Sequence, residues 1–371
     1  MRSFHNMMNL IVDAHQDLAW NMLSFGRDYT RASAETRKME QDGPIPAQNG
    51  ETLLGWPDYQ RGKIAIIFGT LFASPRRRQM GDWETESYAS VEEAHQRYSA
   101  QLEAYHRLTG EHPAFFRLLQ NQADLKNHLA EWRSPLPHGA AGRPVGLVIL
   151  MEGGEGVREP GELTEWWQRG LRILGPAWAG TRFCGGTREP GPLTRAGEAL
   201  LDEMAAIGFT LDVSHMDPLA ALQALERYPG PVIASHANPL ALLPGSESNR
   251  HLTEPLLERL LERGAVIGTV FYNAFLRAGW KPGDSRALVP LERVVEHMDY
   301  ICQKAGNARQ AAIGSDFDGG LGLAHVPEGL DSIADLQKLP ALLEKRGYSE
   351  DDIANILGGN WIAHLERTLP A

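Results

Sequence analysis

Cysteine is scarce, long apolar runs are missing and basic residues are outnumbered, and each shortage removes a class of protein. Only Cys184 and Cys302 occur in 371 residues. A small secreted scaffold stapled by disulfides would carry more, so both are expected to be free thiols in a reducing compartment. No window approaches the roughly 18 consecutive apolar residues of a membrane span. The opening MRSFHNMMNLIVDAHQD has no sustained apolar stretch with a small-residue cleavage site, so a cytoplasmic protein that does not enter a membrane is expected. Lys and Arg number 36 against 47 Asp and Glu, a formal net charge of −11. That sign lacks the basic footprint of non-specific nucleic-acid binding. Hydrophobic residues at 43% and charged residues at 22% are ordinary globular values, which removes disorder as the default.

What the chain does have is a rhythm. Short runs rich in Val, Ile and Leu recur at 9–17, 64–74, 145–153, 171–179, 209–215, 231–237, 265–273 and 311–319. Near-continuous apolar runs are what strands buried on both faces look like, and they imply a parallel sheet covered by helices. Helical patterns fall between them, at 91–108, 195–207, 252–263 and 289–305. The third of these, LTEPLLERLLER, places a threonine in capping position, acids early and bases late. Eight strands alternating with helices predict a (β/α)8 TIM-like barrel of the metal-dependent hydrolase type. A doubly wound open sheet is the alternative, but no strand leads into a Gly-x-Gly-x-x-Gly turn. Two long excursions, 21–62 and 75–144, interrupt the rhythm, and a turn-rich loop covers 239–251. Without a repeat or a linker, residues 1–371 are expected to form a single domain.

The polar residues sit where such a barrel builds active sites. His15 and Asp17 end the first run, Glu152 the third, His215 the fifth, His236 the sixth, and Asp316 and Asp318 the eighth. The carboxyl ends of barrel strands converge on one face. Positions 15 and 17 differ by two, so on a strand both would point to the barrel interior. Taken singly each has a bland explanation: His-x-Asp a polar strand end, Glu152 a loop residue before Gly-Gly, His215 and His236 capping or core histidines. Jointly, five imidazole and carboxylate groups at four strand ends predict a metal centre, and the mixed donors suit zinc. Five ligands exceed one tetrahedral site and divide into two sharing Glu152, with His15 and Asp17 on one side and His215 and His236 on the other. A hydroxide between two such ions would be a strong nucleophile at neutral pH. Asp316 is then the expected proton carrier, while Asp318 fits an Asx turn opening the Asp-Gly loop.

Several segments together resemble a known family. VDAHQDLAW (12–20), LMEGGE (150–155), LDVSH (211–215), ASH (234–236), NRHLTE (249–254), VFYN (270–273), GSDFDG (314–319) and ILGGNW (356–361) occur in the order of the renal (membrane) dipeptidases, peptidase family M19 of the amidohydrolase superfamily. The resemblance implies a binuclear zinc site on His15, Asp17, Glu152, His215 and His236, with Asp316 at the bridging water. It also implies hydrolysis of dipeptides and a homodimer. Arg250 is expected on the substrate carboxylate, as a guanidinium fork suits that anion, and Tyr272 is expected to face the substrate. One departure stands out. The family's substrate-contacting histidine after the fourth strand aligns with Trp178, whose indole donates one hydrogen bond and cannot become cationic. Arg182 and Arg188, in the stretch that follows, are candidates for a substitute contact. The sequence thus predicts a zinc dipeptidase, with hydrolysis of another small amide (a lactam or acyl amino acid) or a metal-loaded barrel without turnover as alternatives. The membrane-anchored relatives carry a leader and a lipid-anchor tail, and the ending HLERTLPA is not expected to be one.

Overall fold

The computed structural model describes residues 10–371; the opening segment and the expected strand start at Asn9 lie outside them. All eight expected strands are present: β1 Ile11–Gln16, β2 Ile64–Phe72, β3 Val145–Glu152, β4 Leu171–Gly175, β5 Thr210–Asp212, β6 Val232–Ala234, β7 Val266–Thr269 and β8 Ala311–Ile313. Each pairs in parallel with the next, and β8 returns to β1 through Asp13 and Ile313, so the sheet closes into a barrel. A short extra strand, Phe116–Leu118, adds to the start of β3.

Alternation along the strands divides the buried apolar side chains into two shells. Val12, Ala14, Ile66, Phe68, Val148, Leu150, Ile173 and Ala312 pack together as the barrel interior, closed by Trp361. Their neighbours Ile11, Ile67, Leu147, Ile149, Leu174, Leu211 and Ile313 face outward against the helices. The barrel is tight where β6, β7 and β8 meet. A Cβ on Gly268 or Gly314 would lie 1.9 Å from the Ser235 carbonyl oxygen, so only glycine permits that approach.

The expected helices appear as Val91–Glu111, Arg195–Ile207, Glu254–Glu262 and Glu292–Ala305. Ser90 and Thr194 cap the first two through their hydroxyls. Thr253 holds the capping position of the third in extended conformation, but its side chain makes no capping bond; Pro255, in that first turn, lacks one of the amides a cap would satisfy.

The excursion 21–62 is not a loose loop. It carries helices Ser33–Glu40 and Trp56–Gly62, and Asp318 pins it to the end of the barrel. The Asp318 carboxylate accepts from Arg27 Nη1 at 3.2 Å, Tyr29 OH at 2.8 Å, Thr52 Oγ1 and the Leu53 amide at 3.1 Å. This corrects the expected Asx turn: the local turn bond is backbone to backbone, from the Gly319 amide to the Asp316 carbonyl, and the Asp318 side chain is spent on a segment almost 300 residues away in sequence.

Candidate active site

Five strands (β1, β3, β5, β6 and β8) and the turns beyond them assemble one cluster. Only His15 and Glu152 lie on strands; Asp17 stands just past β1, at the start of helix Leu18–Phe25. Strict alternation does not bring His15 and Asp17 together, since Val12 and Ala14 already face inward. The β1–β2 register instead shifts between Asp13 and Gln16, and such an irregularity re-aims a side chain. His215 and Asp316 reach the site another way: both take left-handed backbones, φ 66° and φ 63°, uncommon for residues with a Cβ and typical of functional strain. The strands consequently end earlier than their apolar runs, and the polar tips of 209–215 and 311–319 leave the ladder.

The distances show two halves joined by one carboxylate. Glu152 Oε2 lies 3.8 Å from His15 Nε2, which is also 3.6 Å from Asp17 Oδ2 and 3.8 Å from Asp316 Oδ1. Glu152 Oε1 lies 3.0 Å from His215 Nε2 and 3.2 Å from His236 Nε2. Those two imidazole nitrogens face each other at 2.9 Å. His15, Asp17, Glu152 and His236 are almost fully buried.

The electrostatics describe a donor set suited to cations. Burial opposes charge on His15, yet Glu152, Asp17 and Asp316 outweigh it and push its pKa up to about 10. Burial drives Glu152 well above the usual carboxylate range, with His15 opposing, and raises Asp316 to about 7. His215 and His236 are held well below the ordinary histidine value by burial, with the nearby cations Arg250 and His15 adding to it. Protons thus balance the buried carboxylates of the protein alone; divalent cations would do so with the imidazoles neutral. Orphaned atoms agree: Asp17 Oδ1 and Glu152 Oε1 are buried without a hydrogen-bond partner, and subsets of these residues place their donor atoms within 4.8 Å of one another.

The imidazoles are oriented from behind. The Ser235 hydroxyl donates to Asp212, so its oxygen accepts from His236 Nδ1 at 2.8 Å, leaving Nε2 with a free lone pair. Asp212 also accepts from the Ser214 and Ser235 amides. Asp13 plays the same part across the barrel, accepting from the amide and hydroxyl of Ser315, which precedes Asp316. These supporting groups escaped the sequence reading, although the repeated Ser-His, Ser-His and Ser-Asp pairs at 214–215, 235–236 and 315–316 were a signal for them.

A cavity of about 270 Å³ opens over the cluster, and Arg250, Tyr272 and Trp178 all line it. Arg250 is 4% exposed. Its Nη2 donates to the His236 carbonyl at 2.6 Å, while Nε and Nη1 have no partner. Trp178 packs on Phe72 at 5.0 Å between ring centroids and lies 6.2 Å from the His215 ring. Of the two arginines offered as substitutes, Arg188 lines the cavity. Arg182 does not; it is tied down by Glu155 and the Val157 carbonyl.

The model of the membrane dipeptidase family, peptidase family M19, matches residues 2–368. The chain belongs to that family. Among curated relatives, the M19 chain is 25% identical to "Dipeptidase aclJ" of Aspergillus oryzae over 97% of its own length and 79% of that protein. It is 33% identical to an uncharacterized protein in the pqqA 5′ region of Klebsiella pneumoniae, over 59% of its length and 81% of the other. Its fold is that of a Rhodobacter sphaeroides metallopeptidase solved with a phosphinate mimic of L-Ala-D-Ala, with TM-score 0.77, 23% identity and coverage of 97% and 99% of the two chains. This M19 protein is a metal-dependent hydrolase. Cys184 and Cys302 are free and buried, and among the described residues no helix is long and apolar enough to cross a membrane.

Proposed function

We propose that this chain hydrolyses small dipeptides bearing a free C-terminal carboxylate, with two zinc ions at the cluster. His15, Asp17 and Glu152 Oε2 would hold one ion, and His215, His236 and Glu152 Oε1 the other. When bound, the ions supply a Lewis-acidic centre that polarises an amide carbonyl and lowers the pKa of water. The remaining tasks fall to the chain's own side chains.

Arg250 carries the substrate reading. A guanidinium buried with two unpartnered donors is costly unless an anion completes it, and a dipeptide carboxylate supplies a planar, bidentate acceptor of matching shape. Asp316 Oδ1 lies 3.8 Å from His15 Nε2, the same nitrogen that Asp17 and Glu152 approach. Its position suits it to take a proton from water and return it to the departing amine. The Asp212–Ser235–His236 chain keeps the His236 proton on Nδ1 throughout, so that Nε2 stays a ligand. Trp178 offers no cation for the scissile carbonyl, and Arg188, which lines the cavity, is the candidate from this chain for that contact.

Hydrolysis of a mixed L-Xaa-L-Xaa and L-Xaa-D-Xaa dipeptide library by zinc-loaded protein, against a chelated control, tests the reading. Chelator-sensitive release of free amino acids is expected. A protein carrying two ions per chain that releases none would move the assignment to another small amide.

A further inference from the structure

The residues around the cavity fall on two chemically different arcs. In a ring of eight strands β2 stands across from β6, and β3 from β7. Arg250, Tyr272 and Phe275 follow β6 and β7, and the Arg250 guanidinium rests 5.6 Å from the Phe275 ring centroid. Phe72 ends β2 and Trp178 follows β4. Their rings meet at 5.0 Å with 57° between planes, and both are half-buried, so each keeps a surface toward the cavity.

Two charged groups on the β2–β4 arc, Arg78 and Glu84, are already engaged. Arg78 donates to Glu189 at 2.8 Å and to the Arg188 carbonyl at 3.1 Å. Glu84 accepts from the Met80 amide at 2.7 Å and from the Ser74 hydroxyl. Arg188, which follows β4 in the same segment as Trp178, also lines the cavity and has no acidic partner among the described residues. Apart from Arg188, the β2–β4 arc presents to a ligand aromatic and apolar surface from Phe72, Trp178 and Met80, with Trp20 beside them beyond β1.

We propose that Phe72 and Trp178, flanked by Trp20 and Met80, form the subsite for a large apolar or aromatic side chain on the N-terminal residue of the dipeptide. The inference rests on the dipeptidase reading above. With the carboxylate at Arg250 and the scissile bond over the cluster, the residue contributing the carbonyl extends toward β2–β4. Its side chain then meets Trp178, one ring away from His215 at 6.2 Å. Burying an apolar side chain between two rings favours it over glycine through both the area removed from water and ring–ring contact. An ammonium side chain would be desolvated there without a partner, since the arc's acid Glu84 is already engaged.

The test compares kcat/KM of the zinc-loaded enzyme for Gly-Ala, Leu-Ala, Phe-Ala and Lys-Ala, which share one C-terminal residue. Phe-Ala and Leu-Ala are expected to exceed Gly-Ala by about 10- to 100-fold, and Trp178→Ala and Phe72→Ala are each expected to shrink that ratio by at least about threefold. The ratio within one variant cancels differences in the folded fraction. Equal values for Gly-Ala and Phe-Ala in the parent, or an unchanged ratio in both variants, would overturn the subsite while leaving the dipeptidase reading in place. Cleavage of none of these dipeptides would overturn both.

Discussion

The Thr187 hydroxyl lies 2.9 Å from Nδ1 of His215, on a short hairpin whose strands are Cys184–Gly186 and Glu189–Leu193. Asn249 fastens the hairpin in place, donating to the Gly186 carbonyl and to Asp217, and accepting from the Arg188 amide, each at 2.9 Å. His215 thus has its outer nitrogen fixed while its inner one faces His236 and Glu152. Partners of this kind set ring orientation and ligand basicity, and their loss typically costs about 10- to 100-fold in metal affinity. Thr187→Val, which keeps the shape and removes the hydroxyl, is expected to weaken one ion by that factor and leave the other, with Thr187→Ser restoring it. Competition with a graded chelator reads both affinities; equal loss of both ions, or of neither, would show that Thr187 does not position His215.

Much of this site is legible in the sequence because the barrel rule converts strand ends into neighbours. All five expected ligands and Asp316 converge, from segments up to about 300 residues apart. The means of convergence were not legible. A register shift in β1 and left-handed backbones at His215 and Asp316 leave no periodic trace, since no glycine marks them. The role of Asp318 was missed for a related reason. Asp-Gly is a strong local turn signal, and a tertiary demand from Arg27, Tyr29 and Thr52 overrode it. Thr253 shows the converse, a residue in capping position whose hydroxyl is not used.

Asp316 is assigned to proton transfer, yet its carboxylate also lies close enough to His15 and Asp17 to join the donor set, and substitution separates the two roles. Asp316→Asn is nearly isosteric, and asparagine tolerates the left-handed backbone at this position. A rate loss of about 10²- to 10⁴-fold is expected with both ions still bound. Metal content by elemental analysis beside kcat decides it. An active variant, or one that has lost an ion, would refute the assigned role.

Arg250 makes a different kind of prediction. Its unpartnered Nε and Nη1 are assigned to the substrate carboxylate, so Arg250→Ala should raise KM for free dipeptides by about 10- to 100-fold, in line with hydrogen bonds to a charged group. The same dipeptides as C-terminal amides should be poor substrates of the parent and lose little more in the variant. Comparable losses on acid and amide substrates would exclude carboxylate recognition.

Removing the Asp318 carboxylate should loosen the 21–62 excursion from the barrel. Arg27 would keep Glu40 at 3.0 Å but lose its second buried acid, and breaking a buried pair from one side costs about 3–5 kcal/mol. Asp318→Ala is expected to lower the urea midpoint by a corresponding amount. Asp318→Asn, which still accepts hydrogen bonds and tolerates φ 63°, should lose less. Equal midpoints for parent and alanine variant would show that the anchor contributes nothing.

Three buried histidines away from the site make the fold acid-sensitive in a defined window. Burial lowers His128 and His297 to about 4 and His364 to about 3, against an ordinary value of 6.5. Each is neutral in the folded protein, with Nε2 set against the Ala65 carbonyl, the Leu276 carbonyl and the Thr210 hydroxyl respectively. The unfolded chain therefore binds protons that the folded one refuses as pH falls below 6.5. The stability these groups permit is complete above that pH and is lost progressively down to about 4 for His128 and His297 and about 3 for His364, at up to about 1.4 kcal/mol per pH unit for each histidine. Metal release in acid would mimic this, so the measurement is the melting temperature of chelator-treated protein from pH 8 to pH 5. A plateau above about 6.5 followed by a steep fall is expected, and His128→Leu should reduce the slope by the share of one proton. A melting temperature that stays level down to pH 5 would mean that these histidines take up protons without unfolding the barrel.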